Sequence, residues 1–103
     1  MDKNTVIDRV KKYADLVCVY FPVKKVILYG SYAKGSAHEY SDIDVAVIVE
    51  KIDGDLWESK SKLFSLTHDI DVSIEPVLFE ANANDPSGFL EEIQRTGEII
   101  YSN

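Results

Sequence analysis

Asp42 and Asp44 stand two residues apart at the head of a β-branched run, Ile43-Asp44-Val45-Ala46-Val47-Ile48-Val49. A strand over this stretch has a side-chain period of two, so both carboxylates share one face, about 6.5 to 7 Å apart along the chain. Two carboxylates so placed repel unless a cation neutralises them or one takes a proton. Their hard oxygen donors suit Mg²⁺, Mn²⁺ or Ca²⁺. Ile43, Val45 and Val47 point the other way, toward a core.

Upstream lies Gly30-Ser31-Tyr32-Ala33-Lys34-Gly35. Gly30 directly follows the apolar run Val26-Ile27-Leu28-Tyr29, and without a Cβ its backbone can come close to a ligand. Ser31 offers a hydroxyl and an N–H at the start of a short helical turn, an arrangement suited to phosphate, and Lys34 adds a cation one turn later. Phosphates beside a metal-binding carboxylate pair make a coherent nucleotide site. A third carboxylate is expected from a neighbouring strand, where Asp69, Asp71 and Glu75 share one face and Ile70, Val72 and Ile74 the other. Such a set would complete a two-metal cluster. One candidate alone can be in register with Asp42 and Asp44. Asp71 is the expected one, because Asp69 sits at the strand entry and Glu75 precedes Pro76.

The combined pattern resembles the signature of the DNA polymerase β-like nucleotidyltransferase superfamily. That signature is Gly-Ser, a short helical turn ending in a basic residue and glycine, a variable loop, then Ser-Asp-x-Asp, which Ser41-Asp42-Ile43-Asp44 matches. The likeness spans about Val26 to Phe79, and the short length resembles the minimal bacterial and archaeal members. The resemblance implies a Mg²⁺-dependent enzyme that moves a nucleotidyl group, AMP from ATP being the expected case, to an acceptor hydroxyl with release of pyrophosphate. It implies that Gly30 and Ser31 hold the β- and γ-phosphates and that Asp42 and Asp44 bind two Mg²⁺ ions. By the same resemblance Asp71 completes the metal site and helps to deprotonate the attacking hydroxyl. Lys34 stands where many members carry Arg, which keeps the charge but not the bidentate fork. Minimal members often pair with a HEPN-type partner protein (higher eukaryotes and prokaryotes nucleotide-binding). A second reading is therefore an antitoxin-type module that neutralises such a partner by binding, by nucleotidylation, or both.

Competing motifs fail. An EF-hand loop from Asp42 would need glycine at its sixth position, where Val47 stands. A Walker P-loop needs Lys-Ser/Thr after Gly35, where Ser36-Ala37 follow. The lone thiol, Cys18, sits in an apolar helical stretch and reads as structural.

The elements that must position these groups follow from periodicity. Val6, Ile7, Val10, Ala14, Val17 and Cys18 recur at helical spacing over Asn4–Tyr20, with Asn4 or Thr5 as cap. Strands are expected over 26–29, 42–50 and 69–79, the last at an edge or bulged because of Pro76. A helical piece is expected over 31–34 and a loop over 37–40. Asp55 and Glu58 form a capping box for a helix carrying Leu56, Leu63 and Leu66. Asp85-Pro86 opens a last helix that Gly97 ends, and Ile99-Ile100-Tyr101 can close the sheet.

The order α-β-β-α-β-α gives an α/β (α+β) fold, a small mixed sheet with helices packed on it. With 103 residues the chain reads as one domain, 1–103. A net charge of −7 and a pI near 4.7 argue against a grip on nucleic-acid backbone and disfavour a nucleic-acid acceptor. No apolar run nears the roughly 20 residues that span a bilayer. With one cysteine and no signal-peptide pattern, the expected location is cytoplasmic.

Overall fold

The computed structural model describes residues 1–38 and 41–103; of the loop expected over 37–40, Glu39 and Tyr40 lie outside the described residues. The chain runs α1 (Lys3–Tyr20), β1 (Val23–Tyr29), α2 (Ser31–Lys34), β2 (Ile43–Val49), α3 (Leu56–Ser65), a 3₁₀ turn (Leu66–Asp69), β3 (Ile74–Glu80), α4 (Phe89–Thr96) and β4 (Glu98–Ser102). The sheet order is β3-β2-β1-β4. β1 runs antiparallel to β2 and β4, and β2 runs parallel to β3. The expected mixed sheet with packed helices is what the chain forms.

The central strands are apolar on both faces. Val26, Leu28, Ile43, Val45, Val47 and Val49 pack with Val6, Val10, Tyr13, Ala14 and Val17 of α1 and with Leu63 of α3. Ile27, Ala46 and Ile48 point to the opposite face, beneath Leu90 and Ile93 of α4. The amphipathic α1 thus covers one side, and the short α4 covers only part of the other. Buried polar groups are tied in: the Tyr13 hydroxyl donates to the Leu63 carbonyl at 2.7 Å, joining α1 to α3.

Local departures from the expected elements have local causes. Asp2, rather than Asn4 or Thr5, caps α1 by accepting the Thr5 N–H at 2.8 Å. Asp55 caps α3 as expected, through the Trp57 N–H at 2.7 Å. Of the apolar face expected for α3, Leu63 and Leu66 are buried while Leu56 is exposed. α4 begins at Phe89 rather than at Pro86. The Asp85 carboxylate first accepts from the Ser87 N–H and hydroxyl and then reaches over to the Leu90 N–H at 2.8 Å. That turn consumes the residues expected in the first helical turn.

β3 begins at Ile74, not at Asp69. Leu66–Asp69 form the 3₁₀ turn, and the Asp71 side chain accepts the Ser73 N–H at 2.8 Å, a local bond that replaces strand pairing. Val72, expected on a buried face, is 69% exposed. Pro76 does lie in an edge strand, opposite Val45.

Removing the Tyr13 hydroxyl leaves the buried Leu63 carbonyl without that donor. Tyr13→Phe is expected to cost about 1 to 2 kcal/mol. Urea unfolding checks this, with a lower midpoint and an unchanged slope.

Candidate active site

The end of β1 and the start of β2 meet at one corner of the sheet, where Tyr29 pairs with Asp44. The chain then turns through Gly30, with φ 75° and ψ −149°, into α2 over Ser31–Lys34, the span expected for the helical piece. Gly30 is required twice. Its φ lies in the region L side chains avoid, and a Cβ there would run into the Asp44 carboxylate, 3.1 Å from Cγ and 3.3 Å from Cβ. Gly35 closes α2 at φ 77°, its N–H donating to the Ser31 carbonyl. Lys34 is exposed and lines a hollow of about 220 Å³ with Tyr29, Gly30, Phe89, Glu92, Ile93 and Thr96.

Ahead of the carboxylates, His38 and Ser41 bind each other. The His38 N–H donates to the Ser41 hydroxyl at 2.9 Å, and the Ser41 N–H donates to the His38 carbonyl at 2.9 Å. Asp42 follows, exposed; Ile43 is buried; Asp44 is half-buried on the face covered in part by α4.

On the other side of β2 the parallel register places Glu75 level with Asp44 and Ile74 level with Ile43. The carboxylate neighbouring Asp44 on β3 is therefore Glu75. Asp71 lies four residues earlier, in the turn before β3. Its side chain is only 6% exposed and is paired with the Arg9 guanidinium of α1. Asp69 is exposed in the 3₁₀ turn. The structure thus brings together Gly30, Ser31, Asp42, Asp44 and Glu75, and sets Asp71 against Arg9. The expected register fails because the acid face was counted along a strand that starts five residues later.

The electrostatics agree with this placement. Burial raises the Asp44 carboxyl, and the nearby Glu75 and Asp42 charges raise it further. Tyr29 is raised by burial and then by Asp44 and Glu75. Burial also pushes Asp71 upward, but the Ser73 N–H and Arg9 outweigh it and hold that carboxyl below its ordinary value. Among the described residues no ion pair neutralises the Asp42–Asp44–Glu75 corner, whereas the charge of Asp71 is balanced by Arg9.

An all-oxygen donor set of this kind fits a hard divalent cation. Among the described residues, no three such side chains close around a common point as they stand. Gathering them on an ion requires rotamer changes at the exposed Asp42 and Glu75.

Residues 10–103 match the polymerase beta nucleotidyltransferase family. The chain belongs to that family. It is 32% identical over 79 residues to a Methanocaldococcus jannaschii protein assigned as a protein adenylyltransferase, covering 71% of this chain and 74% of that one. Its fold resembles that of an assigned nucleotidyltransferase from Sulfolobus solfataricus, with a TM-score of 0.72 at 16% identity over 98% of this chain and 84% of the other. It also resembles a chain of the toxin–antitoxin MntA–HpeT, with a TM-score of 0.64 at 21% identity over 89% and 71% of the two chains. A chain of a toxin–antitoxin solved with AMP-PNP gives 0.56 at 20% identity over 100% and 75%. Family membership makes this chain a nucleotidyltransferase. Among the described residues no helix is long and apolar enough to cross a membrane.

The sequence signalled the Gly30-Ser31 turn and the Asp42–Asp44 pair, but not Tyr29 beside Asp44 or Arg9 against Asp71. Tyr29 could have been found from its place just before Gly30 on a strand antiparallel to β2. Arg9 carried no signal, since its partner lies 62 residues away.

The raised Asp44 carboxyl has a consequence for stability. An acid raised in the folded state destabilises the fold above that raised value, and the penalty fades as pH falls toward the ordinary 3.8. Asp44→Asn removes the penalty. It is expected to melt above wild type at neutral pH, with the gap closing toward about pH 4. Parallel thermal melts across that range check it; an Asn variant less stable than wild type at pH 7 contradicts the crowding.

Proposed function

We propose that this nucleotidyltransferase takes ATP with Mg²⁺ and transfers AMP to a hydroxyl of a partner protein. The observation that carries the reading is the meeting of Gly30, Ser31, Asp44 and Glu75 at one sheet corner, with Asp42 two residues from Asp44. Gly30 and Ser31 hold the terminal phosphates through backbone N–H groups and the serine hydroxyl. Lys34, at the hollow beside them, offers charge to the same phosphates. Asp42, Asp44 and Glu75 are the carboxylates that would hold two divalent ions. Bound there, such ions would stabilise the attacking and leaving oxygens of an in-line displacement. Glu75 takes the third place that Asp71 was expected to fill, because it is the β3 carboxylate level with Asp44. In this reading it also accepts the proton of the attacking hydroxyl.

The acceptor class rests on two supports. The relative at 32% identity is assigned as a protein adenylyltransferase, and a chain with net charge −7 is poorly suited to nucleic acid. An antitoxin role, in which a HEPN-type partner is bound and modified, is the version favoured by the likeness to toxin–antitoxin chains.

Two measurements test this. Mg²⁺ with ATP at millimolar levels is expected to raise the melting temperature, since both bind only the folded chain; folded protein that shows no shift would refute the nucleotide site. Incubation with labelled ATP and candidate partner proteins then reads transfer. Asp42→Asn, Asp44→Asn and Glu75→Gln are each expected to lower it by at least about 10²-fold while the fold persists, whereas Asp69→Asn has a mild effect. Full transfer by Glu75→Gln would remove that residue from the site.

A further inference from the structure

The Asp71 side chain is almost fully enclosed, yet it lies off the carboxylate corner. Both of its oxygens are in use: Oδ2 accepts from the Arg9 guanidinium, and Oδ1 accepts from the Ser73 N–H at 2.8 Å. Its backbone is held as well. The Asp71 N–H donates to the Thr67 carbonyl at 2.8 Å, and the Asp71 carbonyl accepts from the Ile74 N–H at 3.1 Å. The Ser73 carbonyl in turn accepts from the Ile43 N–H at 2.9 Å. Ile43 is the residue between Asp42 and Asp44. One run of contacts therefore leads from α1, through Arg9 and Asp71, to Ser73 and the head of β2.

We propose that Asp71, clamped by Arg9, is a positioning residue that fixes the start of β3 against β2 and so sets Glu75 level with Asp44. The clamp sits where the parallel ladder begins, with Ile43 opposite Ile74 and Asp44 opposite Glu75. A slip of one residue there would turn Glu75 to the other face of the sheet. A smaller shift would still matter, because Mg²⁺ accepts oxygens only near 2.0 to 2.1 Å. The ion pair is well suited to the task. The Asp71 side chain is 6% exposed and that of Arg9 42%, so one partner is locked in the fold while the other anchors it to the longest helix. A cation already against Asp71 also argues against its serving as a ligand for another.

This inference rests on the reading of the corner as a metal-dependent nucleotide site, and its test separates the two. The probe is Mn²⁺ alone, titrated calorimetrically into the nucleotide-free protein at a temperature where circular dichroism shows every variant folded. Hydrogen exchange at the Ile43 amide is followed in parallel. Arg9→Gln and Asp71→Ala are expected to weaken Mn²⁺ binding by roughly 10 to 100-fold and to speed exchange at Ile43. Arg9→Lys should recover most of the affinity, and Asp44→Asn should abolish binding with Ile43 still protected. If Arg9→Gln and Asp71→Ala bind Mn²⁺ as wild type does, the pair is merely structural and the proposal falls. It falls equally if Asp71→Ala loses binding as completely as Asp44→Asn with exchange at Ile43 unchanged, for then Asp71 is a ligand. No Mn²⁺ binding by the wild type would instead overturn the reading of the corner itself, and the clamp with it.

Discussion

The close approach of Asp44 to Gly30 constrains the site end of the domain. β1 and β2 run antiparallel with Tyr29 opposite Asp44, so the chain leaving β1 must turn directly over that carboxylate. A side chain at position 30 would collide with it. The backbone escapes through a positive φ, and α2 starts at once with Ser31. The corner is thus assembled around adjacent strand ends and one glycine. Backbone ordering costs of order 1 to 2 kcal/mol per residue, so a site built on strand ends is inexpensive to hold in place.

Holding it still requires something to oppose the repulsion. Asp44 is half-buried beside Glu75 and near Asp42, in a chain of net charge −7. What opposes it is the core on the far face, where Val45 and Val47 of the same strand are fully buried against α1. A single strand therefore serves both ends: alternate residues anchor it, and its first turn of pleat carries the charge. The division of the sheet's two faces follows. α1 and α3 bury one side, while α4, only eight residues long, buries the part of the other side beneath Leu90 and Ile93. The strand ends at the corner are left accessible on that side.

What could be read in the sequence was what is decided locally. The Gly30-Ser31 turn, α2 and the Asp42–Asp44 spacing follow from glycine conformation and strand period, each within a few residues. The third carboxylate was not legible, because which acid lies beside Asp44 depends on the register of a parallel pair. That register is set through α3, the 3₁₀ turn and an ion pair from α1. Alternation through Ile70, Val72 and Ile74 looked like a strand, but the Asp71 side chain bonds the Ser73 amide and leaves Ile70 and Val72 out of the ladder that Ile74 begins. The start of α4 was missed for the same kind of reason, an aspartate bonding its own turn at Asp85 before the helix begins.

The contrast between Asp71 and Glu75 shows how the fold assigns roles to similar groups. Both are acids, four residues apart in sequence. Asp71 lies within reach of the Arg9 guanidinium and the Ser73 amide, and its charge is compensated where it stands. Glu75 is exposed at a sheet edge, and its charge is felt across the strands at the Asp44 carboxyl and the Tyr29 hydroxyl, raising both. A divalent ion gains most where negative charge is concentrated and uncompensated, and least where a guanidinium already occupies the carboxylate. The strand register sets Glu75, not Asp71, beside Asp44, and the charge balance at the two acids follows from that placement. An acid was read into the site from its place along the chain, whereas the partner each acid meets in three dimensions, Asp44 for Glu75 and Arg9 for Asp71, is what tells the two apart.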